Sequence, residues 1–223
     1  MKIPEARLTG LNPNEILLYL GYRGQECPDE LLRQIRRCME ETLAAAEPKL
    51  VFCRLPVKDA LPEGFPMEGN DVRALLQTSD ACILFAATLG AGIERLLMRR
   101  EVTDMASALI LDACASTAIE NVCDNFEADL RASLPAGRYL TDRFSPGYGD
   151  LPLDTQRRFC EALNASRRIG LTVSPRSLLI PRKSVTALLG ISSQAQTHRA
   201  RGCEVCSRFL TCPYRKEGKS CGR

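Results

Sequence analysis

The order of apolar and polar residues in the first 90 positions predicts three helices and two strands. Asn12 caps a first short helix, and a second helix is expected over 28–48, because proline marks helix starts and ends. Residues 49–57 are rich in β-branched and aromatic side chains and predict a strand, while residues 70–79 predict a short helix. The continuous apolar run 80–90 has the length of a strand, so we expect a central strand covered on both faces.

The longest predicted element is a helix over residues 103–134, capped by Thr103 or Asp104 and ended by Pro135. Steps of three and four residues place one stripe of side chains on the face toward a core. The stripe consists of Met105, Leu109, Ser116, Ile119, Cys123, Phe126 and Leu130. The middle of this helix is full of Ala, Ser and Cys, which allow another backbone or a ligand to approach closely.

The last part of the chain predicts a short helix within 153–165 and two or three strands over 170–192, with turns at the prolines. Long helices together with late strand pairs favour the α+β class. We therefore expect a twisted, mainly antiparallel sheet flanked by helices, one of them long. We divide the chain into an N-terminal helical and strand segment (1–70) packed on the main domain (71–195), and a small cysteine-rich tail (196–223).

The composition is that of an ordinary globular protein, and it argues against some classes of partner. The chain has 223 residues, 45% hydrophobic and 26% charged, with a net charge of +3. That charge falls short of the broad basic face with aromatic platforms that nucleic-acid binding needs. Apolar runs stay below the roughly 18 residues of a spanning helix, and the N-terminus lacks the apolar core of a secretory signal. We expect a cytoplasmic protein with neither a nucleic-acid nor a membrane partner.

Eleven cysteines are the one unusual feature of the composition. Seven of them lie in apolar or helical segments, where cysteine acts as a small buried hydrophobic residue. A disulfide framework is not expected without an export signal. These seven are Cys27, Cys38, Cys53, Cys82, Cys114, Cys123 and Cys160. The other four crowd into the tail.

The loop 142–150, "DRFSPGYGD", carries the first candidate for ligand chemistry. It contains the pattern R-x-x-x-G-Y, formed by Arg143, Gly147 and Tyr148. A guanidinium grips a carboxylate with two parallel hydrogen bonds, the glycine permits close approach or a positive φ, and the tyrosine offers a flat face and a hydroxyl. These parts suit an amino-acid-like ligand with an aromatic or cationic portion. The alternative is a salt-bridged turn.

Two further patterns flank this loop in the sequence. Steps of four residues place Asp112, Ser116 and Glu120 on one side of the long helix. A carboxylate among alanines and cysteines indicates partial burial and a partner, such as a ligand ammonium, and the alternative is a solvated helix face. The run from Pro181 to Gly190 reads P-x-x-S-V-x-x-x-x-G, a strand entry with backbone groups expected to be exposed near its end.

In this order the motifs resemble the activation domain of cobalamin-dependent methionine synthase. The resemblance covers roughly residues 75–192 and includes the glutamate-bearing helix "TAIENVCDNFEADLR", the R-x-x-x-G-Y loop and the P-x-x-S-V strand. The chain looks like a free-standing version, without homocysteine-, folate- or cobalamin-binding modules. Its first ~70 residues are expected to differ from the fused domain.

The resemblance implies binding of S-adenosylmethionine (AdoMet). Arg143 matches the family arginine that holds the methionine carboxylate, and Gly147 matches the glycine of the binding loop. Tyr148 matches the tyrosine of the same binding loop, and Glu120 falls where the family carries a helix carboxylate near the reacting centre. A catalytic role is assigned to Glu120 and Tyr148. The backbone contacts to the adenosine are assigned to Leu189 and Gly190.

The chain departs from the family pattern in two places. The family has a second glutamate shortly before the arginine, whereas Gly137 stands here and the nearest acid is Asp142. The aromatic pair after P-x-x-S-V is replaced by "LLG", so contact with the adenosine must there be made by backbone or aliphatic groups. The N-terminal aspartate of the family has no counterpart that the sequence identifies.

The resemblance also implies a reaction and partners. The family couples one-electron reduction of cob(II)alamin to methyl transfer from AdoMet, so this chain is expected to reactivate a partner methionine synthase or another corrinoid protein. That partner carries the cobalamin, and an electron donor such as flavodoxin or ferredoxin is also implied. The cofactor supplies the nucleophile and the protein supplies orientation and electrostatics. Alternatives are an AdoMet-dependent small-molecule methyltransferase and a non-catalytic metal-binding redox adaptor.

The tail has the pattern C-x2-C-x5-C-x8-C, formed by Cys203, Cys206, Cys212 and Cys221. Thiolates at such spacings can converge on one metal centre, either zinc or an iron–sulfur cluster. The alternative is a reduced tail whose thiols bind nothing. The Cys-Pro step at 212–213 occurs in ferredoxin-type motifs and the implied reaction needs an electron, so we favour a [4Fe–4S] cluster. His198 is an alternative to Cys221 as the fourth ligand.

Overall fold

The computed structural model describes residues 5–22 and 26–195. The cysteine-rich tail, with its four predicted metal ligands and His198, lies outside the described residues. The helices are α1 (Pro13–Tyr19), α2 (Asp29–Ala45), α3 (Asn70–Leu76), α4 (Ala91–Thr103), α5 (Met105–Ser133), α6 (Thr155–Ala162) and α7 (Ala165–Ile169). The strands are β1 (Lys49–Lys58), β2 (Leu61–Pro62), β3 (Ser79–Thr88), β4 (Tyr139–Leu140), β5 (Thr172–Val173), β6 (Leu179–Ile180) and β7 (Ser184–Ser192).

One five-stranded antiparallel sheet forms the middle of the molecule, in the order β2-β1-β3-β7-β4. Strand β3 is central, and every residue from Ala81 to Thr88 is buried. Successive side chains of a strand point to opposite faces, so Ile83 and Phe85 enter one core while Cys82 and Leu84 enter another. The prediction of a central strand covered on both faces is confirmed.

Helices cover both faces of this sheet and make three layers. On one face α1, α2, α4 and α5 contribute Ile16, Ile35, Ile93 and Leu111 to the first core. On the other face α3, α6 and α7 contribute buried side chains to the second core, among them Phe159. Strands β5 and β6 form a separate two-stranded hairpin. The α+β class, with an antiparallel sheet and one long helix, is confirmed.

Helix α5 begins where the sequence places it, but its buried face differs from the predicted stripe. Asp104, not Thr103, caps the helix, and its side chain accepts from Ser107 N. Met105 and Leu109 are each 61% exposed, so the start of the predicted stripe is wrong. The later members Ile119, Cys123 and Phe126 are buried as predicted, and the buried face also includes Ala108, Leu111, Ala115, Ala118 and Val122. Small alanines mark the core side because they let α5 lie close to its neighbours, and a stripe drawn through large side chains misses them.

The described cysteines behave as small hydrophobic residues. Five of the seven are buried, and Cys27 and Cys53 are partly buried. Burial raises the pKa of Cys82, Cys114 and Cys123 to about 12. Neutral thiols in these cores contribute packing, as the sequence predicts.

Helix α5 is also long and apolar enough, by length and composition alone, to cross a membrane. Its most apolar window is 61% buried inside the protein. A helix that packs on a sheet and on three other helices needs such a composition, and burial therefore accounts for it. The cytoplasmic location stays a prediction.

The first 70 residues contact the rest of the chain through both the sheet and α5. Strand β1 pairs with β3 along most of its length. The backbone N–H of Thr9 donates to Asn121 Oδ1 (3.0 Å), and Asn125 Nδ2 donates to Arg7 O (3.0 Å). The division of the chain at residues 70 and 195 stays a prediction.

Candidate ligand-binding site at the Arg143 loop

A break in strand register places Arg143. At the end of β4, Leu140 pairs with Ile191. Farther along, Phe144 pairs with Leu188, which is one residue out of the register set by β4. The extra residue makes a β-bulge between these two pairs, and bulges redirect side chains. Here the bulge directs the Arg143 side chain to helix α5.

Arg143 makes ion pairs with three carboxylates of α5. Its Nη2 lies 2.8 Å from Glu120 Oε2 and 3.0 Å from Asp124 Oδ1, and its Nη1 lies 2.7 Å from Glu127 Oε1. The spacing of four and seven residues puts the three acids on one face of the helix. The structure therefore brings together Arg143 and Glu120, the two charged residues predicted for the site.

This charge cluster is mostly withdrawn from water. Arg143 and Glu127 are 19% and 17% exposed, whereas Asp124 is largely exposed. Burial raises the pKa of Glu127, and the nearby Arg143 opposes that shift. Arg143 Nη1 and Glu127 Oε1 are close as an ion pair, yet neither atom makes a hydrogen bond. The two opposite charges therefore neutralise each other at 2.7 Å without the alignment of a hydrogen bond.

Lys183 contacts Asp112 and Ser116, the other two residues predicted to share the Glu120 side of α5. Its Nζ lies 2.8 Å from Asp112 Oδ1 and donates to Ser116 Oγ (2.9 Å) and to the Asp112 carbonyl (3.1 Å). The face that carries Asp112, Ser116 and Glu120 is therefore bound by two cations from the sheet side. The alternative of a fully solvated face is wrong.

The glycine and tyrosine of the loop lie at its exposed tip. Gly147 has φ +92, and its N–H donates to Leu151 O (2.9 Å). A Cβ added at this glycine would lie 3.1 Å from Leu153 Cδ1, the end of an exposed side chain, so the positive φ is what favours glycine at this position. Tyr148 is 53% exposed. Their ligand roles stay predictions.

Leu189 and Gly190 are placed differently from what the strand motif indicates. Leu189 is fully buried and pairs with Ile83. Gly190 N–H donates to Thr141 Oγ1 (2.8 Å), and Gly190 O accepts from Thr141 N (3.0 Å). The expectation of exposed backbone groups is therefore wrong for Gly190, because Thr141, just after β4, forms hydrogen bonds with both its N–H and its C=O. Contact with an adenosine stays a prediction that requires Thr141 to give up these bonds.

The serine of P-x-x-S-V holds two strands together. Ser184 Oγ lies 2.8 Å from Thr88 Oγ1 and 2.7 Å from Pro181 O, which ties the start of β7 to the end of β3. Within the described residues, these contacts of Ser184 stabilise the sheet.

Asp124 and Glu127 are members of the site that the sequence patterns did not indicate. Their spacing from Glu120 was the available signal, since side chains four and seven positions on share its helix face. Acidic side chains on a long helix are usually solvated. Their spacing therefore indicates a binding site only once a cation, here Arg143, is known to face them.

Within residues 5–22 and 26–195, no three His, Cys, Asp or Glu side chains are grouped so as to hold a metal ion. The four tail cysteines predicted as ligands are outside this part of the chain.

Comparison with known proteins identifies the fold. No family model and no curated protein sequence matches the chain. Among solved structures, thirteen chains match, and one of them is the crystal structure of the MetH reactivation domain bound to AdoHcy. The match has a TM-score of 0.62 and 14% identity, and it covers 84% of this chain and 76% of that one. This chain has the reactivation-domain fold.

The extent of the match corrects one expectation from the sequence. Residues after position 74 are too few to make up 84% of the chain, so the reactivation-domain fold includes part of the first 74 residues. The prediction that the N-terminal segment differs from the fused domain is wrong at least for that part. Strand β1, which pairs with the central strand, explains why the segment belongs to the fold.

Proposed function

We propose that this protein binds AdoMet and supports the reductive methylation of cob(II)alamin on a partner, which is a cobalamin-dependent methionine synthase or another corrinoid protein. The observation that carries the proposal is the Arg143 cluster, in which one guanidinium meets Glu120, Asp124 and Glu127, four residues before the exposed Gly147–Tyr148 tip of the same loop. It lies in a fold shared with a domain whose crystal structure is bound to AdoHcy, the product that AdoMet leaves after methyl transfer.

The charges of the cluster favour an amino-acid end group over a simple carboxylate. Three carboxylates surround one guanidinium, so a bare anion would enter a negative environment. A zwitterionic ligand brings its own ammonium group. When Arg143 binds the ligand carboxylate, it releases some of its carboxylate partners, and the ligand ammonium then pairs with them. In this proposal Glu127 supplies the second carboxylate that the sequence lacks before Arg143.

In the same proposal, the other residues predicted for the site contact other parts of AdoMet. Glu120 and Tyr148 flank the sulfonium and its methyl group, and Gly147 lets the loop backbone approach the ligand. Leu189 and Gly190 meet the adenosine through backbone or aliphatic contacts once Thr141 moves. In the reaction the methyl group leaves the AdoMet sulfur for the reduced cobalt of the partner's cobalamin, and AdoHcy remains. The electron comes from a donor such as flavodoxin or ferredoxin.

Two measurements test the function. Calorimetric titration of the purified protein with AdoMet is expected to show binding in the micromolar range. Mixing the protein with AdoMet, a reductant and a cob(II)alamin-loaded methionine synthase is expected to produce the methylcobalamin spectrum, and omission of this protein is expected to prevent it. Binding of AdoMet without methylcobalamin formation would favour a small-molecule methyltransferase. Absence of any binding would leave the redox adaptor.

We further propose that Cys203, Cys206, Cys212 and Cys221 hold a metal centre, with a [4Fe–4S] cluster favoured over zinc. The proposal rests on the donor set alone, since four thiolates complete either centre.

Removal of one tail thiolate is expected to release the metal. Anaerobically purified wild-type protein should be brown, with broad absorbance near about 400 nm; a colourless protein with one zinc per chain would contradict the cluster. Cys206→Ser should lose most of the bound metal, measured by elemental analysis. Cys27→Ser, a partly buried cysteine outside the tail, is the matched control and should keep it. Wild-type protein with neither iron nor zinc would overturn the metal centre.

A further inference from the structure

The far end of the Arg143 loop is fixed by a reciprocal pair of aspartates. Asp150 Oδ2 accepts from the backbone N–H of Asn70 (2.6 Å), and its Oδ1 accepts from that of Asp71 (3.2 Å). In return Asp71 Oδ2 accepts from the backbone N–H of Asp150 (3.1 Å). The residue before α3, Gly69, has no side chain to cap the helix. Asp150 therefore caps α3 from another part of the chain.

Two glycines make this contact possible. Gly69 has φ +146, and a Cβ there would lie 2.8 Å from Asp150 Oδ1. Gly149 has φ +52, and a Cβ there would overlap the Asp71 carboxylate. Both aspartates thus reach backbone that only glycine leaves open.

The loop is held on both faces of the sheet. Arg143 binds α5, which covers one face, while Asp150 binds α3, which covers the other. Between them the tip is closed by hydrogen bonds from Gly147 N to Leu151 O and from Tyr148 N to Ser145 O (3.2 Å). Gly147 and Tyr148 therefore lie in a segment that is anchored at both ends.

We propose that Asp150 is a positioning residue for the AdoMet site, a role that rests on the function proposed above. Its carboxylate does not touch the ligand; it keeps the Gly147–Tyr148 tip in the conformation that receives it. Without the carboxylate the far end keeps only the hydrogen bond from the backbone N–H of position 150 to Asp71 Oδ2, so the tip is held less firmly there and samples other conformations. If the binding conformation is then populated about one tenth of the time, the apparent Kd for AdoMet rises about tenfold.

Asp150→Ala and Asp104→Ala separate positioning from stability. Asp104 caps α5 through Ser107 N (3.1 Å) and Ser107 Oγ (2.6 Å), and it is the same residue type in the same kind of role. Both variants are expected to lower Tm to a similar degree. Only Asp150→Ala should raise the Kd for AdoMet about tenfold, and Asp150→Asn, which keeps one acceptor oxygen, should restore part of the affinity.

A ligand-free measurement distinguishes failure of this inference from failure of the proposed function. Amide hydrogen exchange in the 142–151 peptide should accelerate in Asp150→Ala and stay unchanged in Asp104→Ala. Wild-type affinity in Asp150→Ala, or an equal loss in Asp104→Ala, would overturn the positioning role. If wild-type protein does not bind AdoMet, the proposed function fails and the ligand role of Asp150 fails with it. Exchange at the tip would then still show whether Asp150 holds the loop.

Discussion

Replacing Arg143 by alanine is expected to weaken AdoMet binding by at least about 30-fold, because a buried charge pair of this kind contributes about 2 kcal/mol or more to binding. The same change should lower the free energy of unfolding by about 2–3 kcal/mol. That is less than the loss for a fully buried pair, since the cluster is partly exposed. Calorimetry and urea denaturation measure the two effects.

The stability loss in Arg143→Ala should depend on pH in a defined direction. Burial raises the pKa of Glu127 and Arg143 opposes that rise, so removal of Arg143 raises it further. A carboxyl whose pKa is higher in the folded than in the unfolded protein makes folding less favourable as pH increases through that interval. The variant should therefore approach wild-type stability as pH falls from 8 toward 5. The double variant Arg143→Ala/Glu127→Gln should lose this dependence.

Arg100 is the matched control for these measurements. Its Nη2 lies 2.8 Å from both carboxylate oxygens of Glu41, in an ion pair between α4 and α2 far from the loop. Arg100→Ala should cost at most about 1 kcal/mol of stability and leave AdoMet binding unchanged. Two results would contradict the role given to the Arg143 cluster. One is a loss of AdoMet affinity in Arg100→Ala as large as in Arg143→Ala, and the other is a loss of stability in Arg143→Ala that does not depend on pH.

The second large effect is expected at Gly92, in the turn "LGAG" at the start of α4. In this sequence that turn is similar to the G-x-G-x-G loop expected of an AdoMet-dependent small-molecule methyltransferase. A Cβ at this position would overlap the carbonyl oxygen of Ala45 at the end of α2. Gly92→Ala should therefore destabilise the protein by about 1–3 kcal/mol. Helix propensity alone predicts the opposite sign, a gain of up to about 1 kcal/mol inside α4.

The Gly92 variant also tests the methyltransferase alternative. Thermal unfolding gives its stability, and calorimetry on the folded protein gives its affinity for AdoMet. With a packing role for the glycine, Tm falls and the Kd does not change. Should the Kd rise while Tm stays at the wild-type value, the glycines of this turn contact the ligand and the site is not at Arg143.

Local chemistry let the sequence predict most of the elements. The cap at Asn12, with Asn12 Oδ1 accepting from Asn14 N (3.0 Å), and the apolar run of β3 appear in the structure as expected. A cap or a strand-length apolar run is decided by neighbours a few residues away, so its signal is complete in a short window. The order of motifs that resembles the activation domain likewise needs only the sequence, and the fold match confirms the resemblance in fold.

The composition of the site depends on contacts that no short window contains. Arg143 meets Glu127 because a bulge shifts the loop strand by one residue against β7, and Asp150 reaches α3 across 79 to 80 positions of sequence. A register and a bulge are set by the pairing of distant strands, and the pattern of either strand alone does not specify them. The sequence by itself therefore determined the elements and the candidate loop. Tertiary structure decided which carboxylates surround Arg143 and which aspartate holds the loop, because those contacts join residues that only folding brings together.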